Sequence, residues 1–138
     1  MATEIRPELS QKNEYWIPKH RYYELLHFCR QYEGWKKAIV GIDGYAKYYQ
    51  EEHVKRSDIP KPTEKAAMTR EYYTKRIDMI NNVANQTDPE LAEYLIYGAT
   101  HGIPYDKIEA SMGTLPCGRE KYYKKYHEFF WNLHLARE

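Results

Sequence analysis

The chain has 138 residues, 42% of them hydrophobic and 30% charged, the composition of a soluble folded domain rather than a disordered segment. Its formal net charge is +1 at pH 7, which excludes a polycation, so contact with nucleic acid would need a local basic patch. No run approaches the ~18 apolar residues of a membrane span and no signal-peptide pattern opens the sequence, so a cytoplasmic protein with no membrane partner is expected.

Residues 1–14 are polar, carry Pro7 and show no periodicity, which predicts a flexible arm. Pro18 then suits the first turn of a helix because its φ is already helical. Leu25, Phe28, Cys29, Tyr32, Trp35 and Ile39 follow at spacings of three and four, one face of a helix. Gly34 weakens the middle of that helix, and "GIDGY" (41–45) is expected to end it. Tyr45–Glu52 has the length of a short helical turn. The two prolines of "KRSDIPKPT" (55–63) mark the expected linker between an N-terminal segment, 15–60, and a helical unit, 61–138.

Thr63 is placed to cap a second long helix with an apolar stripe of Tyr73, Ile77, Ile80 and Ala84. "TDPEL" (87–91) reads as a helix start, with Asp88 at the N-cap and Pro89 in the first position. That helix would turn Leu91, Leu95 and Ala99 inward and stop at Gly102. Pro104 opens a shorter helix with Ile108 and Met112 inward, closed by Gly113. The last helix is expected from about Arg119 onward. No strand-like alternation occurs, so the fold class is all-α: a helical bundle with a C-terminal tri-helical, helix-turn-helix unit over 88–138.

The last helix divides its residues by chemistry. At 100° per residue, Tyr122, Tyr126, Phe129 and Leu133 share one face, with Tyr123 and Phe130 at its edge. Lys121, Lys124, Lys125 and Glu128 fall on the other, and Trp131 also points outward. A recognition helix is built this way, one side holding the core and the other meeting phosphates and base edges. Charge is distributed unevenly along the chain: Asp88–Pro116 has one basic residue against five acidic ones, and Cys117 to the end has five against three. The predicted DNA contacts are Lys121, Lys124 and Lys125, with Arg119 at the helix start and Lys107 and Thr114 at the edge. The wheel places Arg119 on the inner side, so its role depends on where the helix begins. A solvated lysine face on a plain helical module is the alternative reading of the same pattern.

Residues 64–134 resemble phage and prophage late-transcription regulators of the ArpU/RinA type, which are similar in turn to the DNA-reading fourth region of bacterial sigma-70 factors. The resemblance rests on "LPCGREKYYKKYHEFFWNL", with Gly118-Arg119, paired Tyr122-Tyr123 and paired Phe129-Phe130 near the chain end. It implies a prophage-encoded, DNA-binding transcription regulator working in a bacterial host, with double-stranded DNA and host RNA polymerase as partners; the helix over 63–86 and the N-terminal helices are expected to position a second copy of the chain or to touch RNA polymerase. This sequence is less basic than a typical member and carries Glu120 where a base or phosphate contact is expected. The 15 tyrosines keep a second class open: a non-enzymatic interaction module or inhibitor with a tyrosine-rich surface. A ring-forming DNA-packaging adaptor resembling small terminase subunits is a third.

Little points to other chemistry. Cys29 and Cys117 have neither CxxC nor Cys/His ligand spacing, and the pairs His20/His27 and His127/His134 lack a third ligand, so no metal or cofactor is expected. Cys117 lies at a helix start, where a dipole can lower a thiol pKa, but it reads as a cap-region residue. No HExxH, GxSxG or paired-carboxylate motif is present, and no catalytic residue is expected.

Overall fold

In a computed structural model, which describes residues 11–51 and 64–138, the described residues form six α-helices and no strand. They are α1 (Lys19–Arg30), α2 (Tyr32–Glu51), α3 (Glu64–Thr87), α4 (Ala92–His101), α5 (Tyr105–Met112) and α6 (Arg119–Ala136). The all-α expectation therefore holds. The proline-rich segment, the Thr63 cap and the first ten residues lie outside the described residues.

Contacts divide the chain into two units, Met1–Gln31 with Met79–Glu138, and Tyr32–Asp78. The larger is a bundle of α1, the last turns of α3, α4, α5 and α6. Tyr122, Phe129, Leu25, Leu95, Ile108 and Leu133 are fully buried in it, and Phe130 nearly so. The rings pack edge-on or tilted: Tyr126 and Phe130 at 4.9 Å, Tyr22 and Phe130 at 5.0 Å, Phe129 and Phe130 at 5.2 Å between centroids. Such offset geometries suit the ring quadrupoles better than a face-to-face sandwich. The Tyr22 and Tyr126 hydroxyls meet at 3.3 Å inside this cluster and answer each other's polarity.

Helix starts and stops follow local chemistry closely. Pro18 is the N-cap of α1 rather than its first residue. Asp88 acts as expected: its Oδ1 accepts the amides of Glu90 at 3.0 Å and Leu91 at 3.3 Å. Regular helix, however, begins only at Ala92, after a turn over 89–91. Gly102 ends α4 at φ 66°, a conformation glycine adopts without a Cβ clash. The Arg30 guanidinium packs onto Gly102, and its Nε donates to the Ala99 carbonyl at 3.2 Å. A cation so placed satisfies an orphan carbonyl and faces the negative end of the α4 dipole.

Several sequence expectations change, and Ile39 and Met112, expected inward, are only half-buried. The "GIDGY" stretch does not end a helix, since α2 runs through Gly41 and Gly44 to Glu51. Among the described glycines only Gly102 and Gly113 have positive φ; a glycine in right-handed helical conformation weakens a helix by about 1 kcal/mol without terminating it. The break falls instead at Gln31, between α1 and α2, and not at Gly34. The α3 stripe is also displaced toward the C-terminus: Ile80, Val83, Ala84 and Thr87 are buried, while Tyr73 and Ile77 are only half-buried.

The smaller unit holds α2 and most of α3. Arg70 grips Asp43 with two hydrogen bonds, 2.7 Å and 3.0 Å, tying the two helices together. Val40, Tyr45, Met68 and Tyr72 are large apolar side chains left exposed there.

Candidate nucleic-acid interface

In the larger unit α6 packs on α1, α4 and α5. Its buried face is the predicted one: Tyr122, Tyr126, Phe129 and Leu133, with Phe130 fully drawn in from the edge. Polar links fix its rotation. Arg21 Nε donates to His134 Nδ1 at 2.9 Å and Arg21 Nη2 to the His134 carbonyl at 3.3 Å. Asn132 Nδ2 donates to Thr87 Oγ1 at 3.0 Å.

The connection from α5 to α6 spans residues 113–118 and is stapled by one side chain. Tyr105 donates its hydroxyl to the Cys117 carbonyl at 2.8 Å, while its own amide donates to the Tyr123 hydroxyl at 3.1 Å. Leu115 is buried beneath this turn. α5 and α6 are therefore held against each other and against α4, across a connection longer than the three or four residues of a compact helix-turn-helix.

The six predicted contacts are not gathered into one uniform patch. Lys107 and Thr114 are exposed, on α5 and on the connection. Lys121 and Lys124 are exposed on the outward side of α6. Lys125 is only half-exposed and pairs with Glu128 at 3.3 Å. Arg119 is not on the inner side, as the wheel placed it. It is the first residue of α6, so its side chain projects past the end of the core, is exposed, and pairs with Asp106 at 3.1 Å. Its guanidinium also lies 5.5 Å from the Tyr123 ring centroid. Trp131 is half-buried beside His134 rather than displayed.

A feature of the surface was not foreseen. Residues 11–17, mostly assigned to the arm, form turns in which the Trp16 amide donates to the Asn13 carbonyl at 3.0 Å and the Tyr15 amide to Asn13 Oδ1 at 2.8 Å. Ile17 is buried at their end. Together with the start of α6 they enclose an open groove of about 1020 Å³, walled by Tyr15, Tyr123, His127, Arg119, Lys124 and Glu120. Burial lifts the Tyr15 phenol above its usual pKa, and Glu128 and Glu14 add to the effect. The only sequence signal was Ile17, an apolar residue placed beside Trp16.

Neither cysteine is activated. Burial pushes the Cys29 thiol up to about 12. Burial also raises Cys117; Lys121 opposes the rise, while Asp88 and Glu90 reinforce it. Desolvation of the thiolate outweighs the nearby lysine, so Cys117 stands as an ordinary residue of the helix start rather than an activated thiol. Among the described residues no group of three His, Cys, Asp or Glu side chains is placed to hold a metal ion, and no helix is long and apolar enough to cross a membrane. No protein-family model, curated protein or solved structure matches the chain.

Proposed function

We propose that the chain is a DNA-binding transcription regulator that docks on the duplex through the outward side of α6. The observation that carries this reading is the exposure of Lys121 and Lys124 opposite the aromatic face that fixes the helix in its bundle. Lysines suit phosphates as mobile point charges, and the core beneath them supplies a rigid platform. Arg119 and Lys125 join only by exchanging a carboxylate for a phosphate. Both present partners, Asp106 and Glu128, are at least partly solvated, and such pairs are weak enough to exchange. Lys107 and Thr114 border the same end of the unit. The resemblance to phage late-transcription regulators extends the reading to promoter DNA and host RNA polymerase.

Fluorescence anisotropy of the full chain on duplex DNA across a salt series tests it. Each neutralised phosphate contributes about −0.9 to the slope of log K against log salt. Replacing Lys121 and Lys124 together by alanine should flatten that slope by about two. Absence of binding at low salt, or a slope the double variant leaves unchanged, removes α6 as the docking element.

A second reading, an interaction module that binds protein rather than DNA, is favoured by Met68 and Tyr72, which stand exposed on α3. It expects no salt-dependent affinity for duplex DNA.

A further inference from the structure

α3 carries Glu64, Met68, Tyr72 and Arg76 at intervals of four, which form one inclined ridge that turns by about 120° around the helix from Glu64 to Arg76. Met68 and Tyr72 form the middle of the ridge, with 64% and 50% of their surfaces exposed. Along the flank of the helix, Glu64, Met68 and Tyr72 border a shallow depression of about 620 Å³. At one end of the ridge stands a carboxylate, and at the other a guanidinium. Arg76 is already ordered: its guanidinium lies 3.4 Å from the Tyr72 ring centroid, and its Nη1 donates to the Tyr72 carbonyl at 3.2 Å. The neighbouring charges Glu71 and Lys75 are paired with each other at 3.2 Å, and Arg70 is held by Asp43.

We propose that this ridge is a self-complementary interface through which two copies of the chain associate, antiparallel, about a two-fold axis near residue 70. The pattern dictates the orientation. An antiparallel two-fold pairs positions whose numbers sum to 140, so Met68 meets the partner subunit's Tyr72, and Glu64 meets the partner subunit's Arg76. Each contact occurs twice by symmetry. A parallel arrangement would set Glu64 against Glu64 and Arg76 against Arg76. The apolar middle supplies the attraction, and the end charges select the direction, as charge pairs do in helical dimers. Because Arg76 is already ordered over Tyr72, little side-chain freedom remains to be lost when the copies dock. This proposal is independent of the reading of α6.

The test is the mass of the full chain in solution, by sedimentation velocity from micromolar to near-millimolar concentration, without DNA. A dimer of twice 16.6 kDa is expected at the upper end. Met68→Glu should leave the helical circular dichroism intact and weaken association at least tenfold. Glu64→Arg alone and Arg76→Glu alone should each weaken it, and the double variant should recover it. Glu64 and Arg76 are twelve positions apart on one helix, so recovery requires contact between copies. A chain that stays monomeric throughout, or a dimer indifferent to Met68→Glu and to the charge reversals, overturns the proposal.

Discussion

The two units of the chain solve the burial problem differently. In the larger one, aromatic side chains from α1, α5 and α6 interlock, and their few polar atoms are mostly answered by partners such as Tyr22 with Tyr126. In the smaller one, the described residues of α2 and α3 are joined by an exposed ion pair and leave Val40, Tyr45, Met68 and Tyr72 in solvent. Stability therefore concentrates in the aromatic cluster, because buried area contributes far more than exposed charge pairs. The comparison also teaches where function can reside: a rigid unit presents a fixed surface on α6, and a sparsely buried one keeps apolar surface available.

The largest blow to this contrast should come from the core. Phe129→Ala removes a fully buried ring and is expected to cost about 3–5 kcal/mol, read from urea unfolding followed by circular dichroism. A cost below about 1 kcal/mol would mean that the aromatic cluster is not the seat of stability.

Alkaline pH should act on the same unit. Burial, first of all, raises Cys29 from 9.0 to about 12, and burial with the Tyr22 contact raises Tyr126 well above 10.0. The folded state thus holds protons that the unfolded chain gives up sooner. Stability is full below about pH 9 and falls as pH rises, by roughly 1.4 kcal/mol per pH unit for each such group that has begun to ionise in the unfolded chain. Cys29→Ala should make the loss of stability between about pH 9 and pH 10 shallower, leaving there only the smaller contribution of Cys117 before the tyrosines take over. A slope in that range that the substitution leaves unchanged would argue against the buried thiol.

Gly98 offers a finer cut. A Cβ at this position would meet the Tyr122 hydroxyl, which is buried and has no hydrogen-bond partner among the described residues, and would press on Ile108 Cδ1 at 3.2 Å. Gly98→Ala should cost about 1–3 kcal/mol by overpacking. Tyr122→Phe alone should be neutral or stabilising by about 1 kcal/mol, since it removes an unsatisfied buried hydroxyl. Combined with Gly98→Ala it should recover much of the loss. A double-mutant cycle with no coupling would show that the two positions do not press on each other.

The smallest effect belongs to the other unit. Asp43→Asn breaks an exposed pair and should leave the global unfolding midpoint unchanged, while hydrogen exchange in α2 and the first half of α3 runs faster than in α6. Equal protection of α2 and α6 would erase the distinction between the units.

Periodicity and turn chemistry made much of the architecture legible. Leu25, Phe28, Cys29, Leu91, Leu95, Ile108, Tyr122 and Phe129 were placed inward by spacing alone, and all are buried. Asp88, Gly102 and Gly113 acted where local backbone chemistry required, because capping and positive φ depend on a few neighbouring residues. The glycines of α2 misled, since the same residue type can sit in a helix interior when the flanking turns hold the helix together. At the candidate interface, the exposure of Lys121 and Lys124 was readable from the wheel. The pairing of Arg119 with Asp106 and of Lys125 with Glu128, and the turn of residues 11–17 beside α6, were not.

The sequence by itself determined the all-α class, the inward faces of α4 and α6 and the stops at Gly102 and Gly113, because these depend on interactions within a few residues. Only the tertiary structure decided which polar groups meet across the chain: Arg30 on the α4 terminus, Arg21 on His134, Tyr105 on Cys117. Those choices depend on helix rotation and packing distance, which separate contacts of identical chemistry and leave no periodic mark in the sequence.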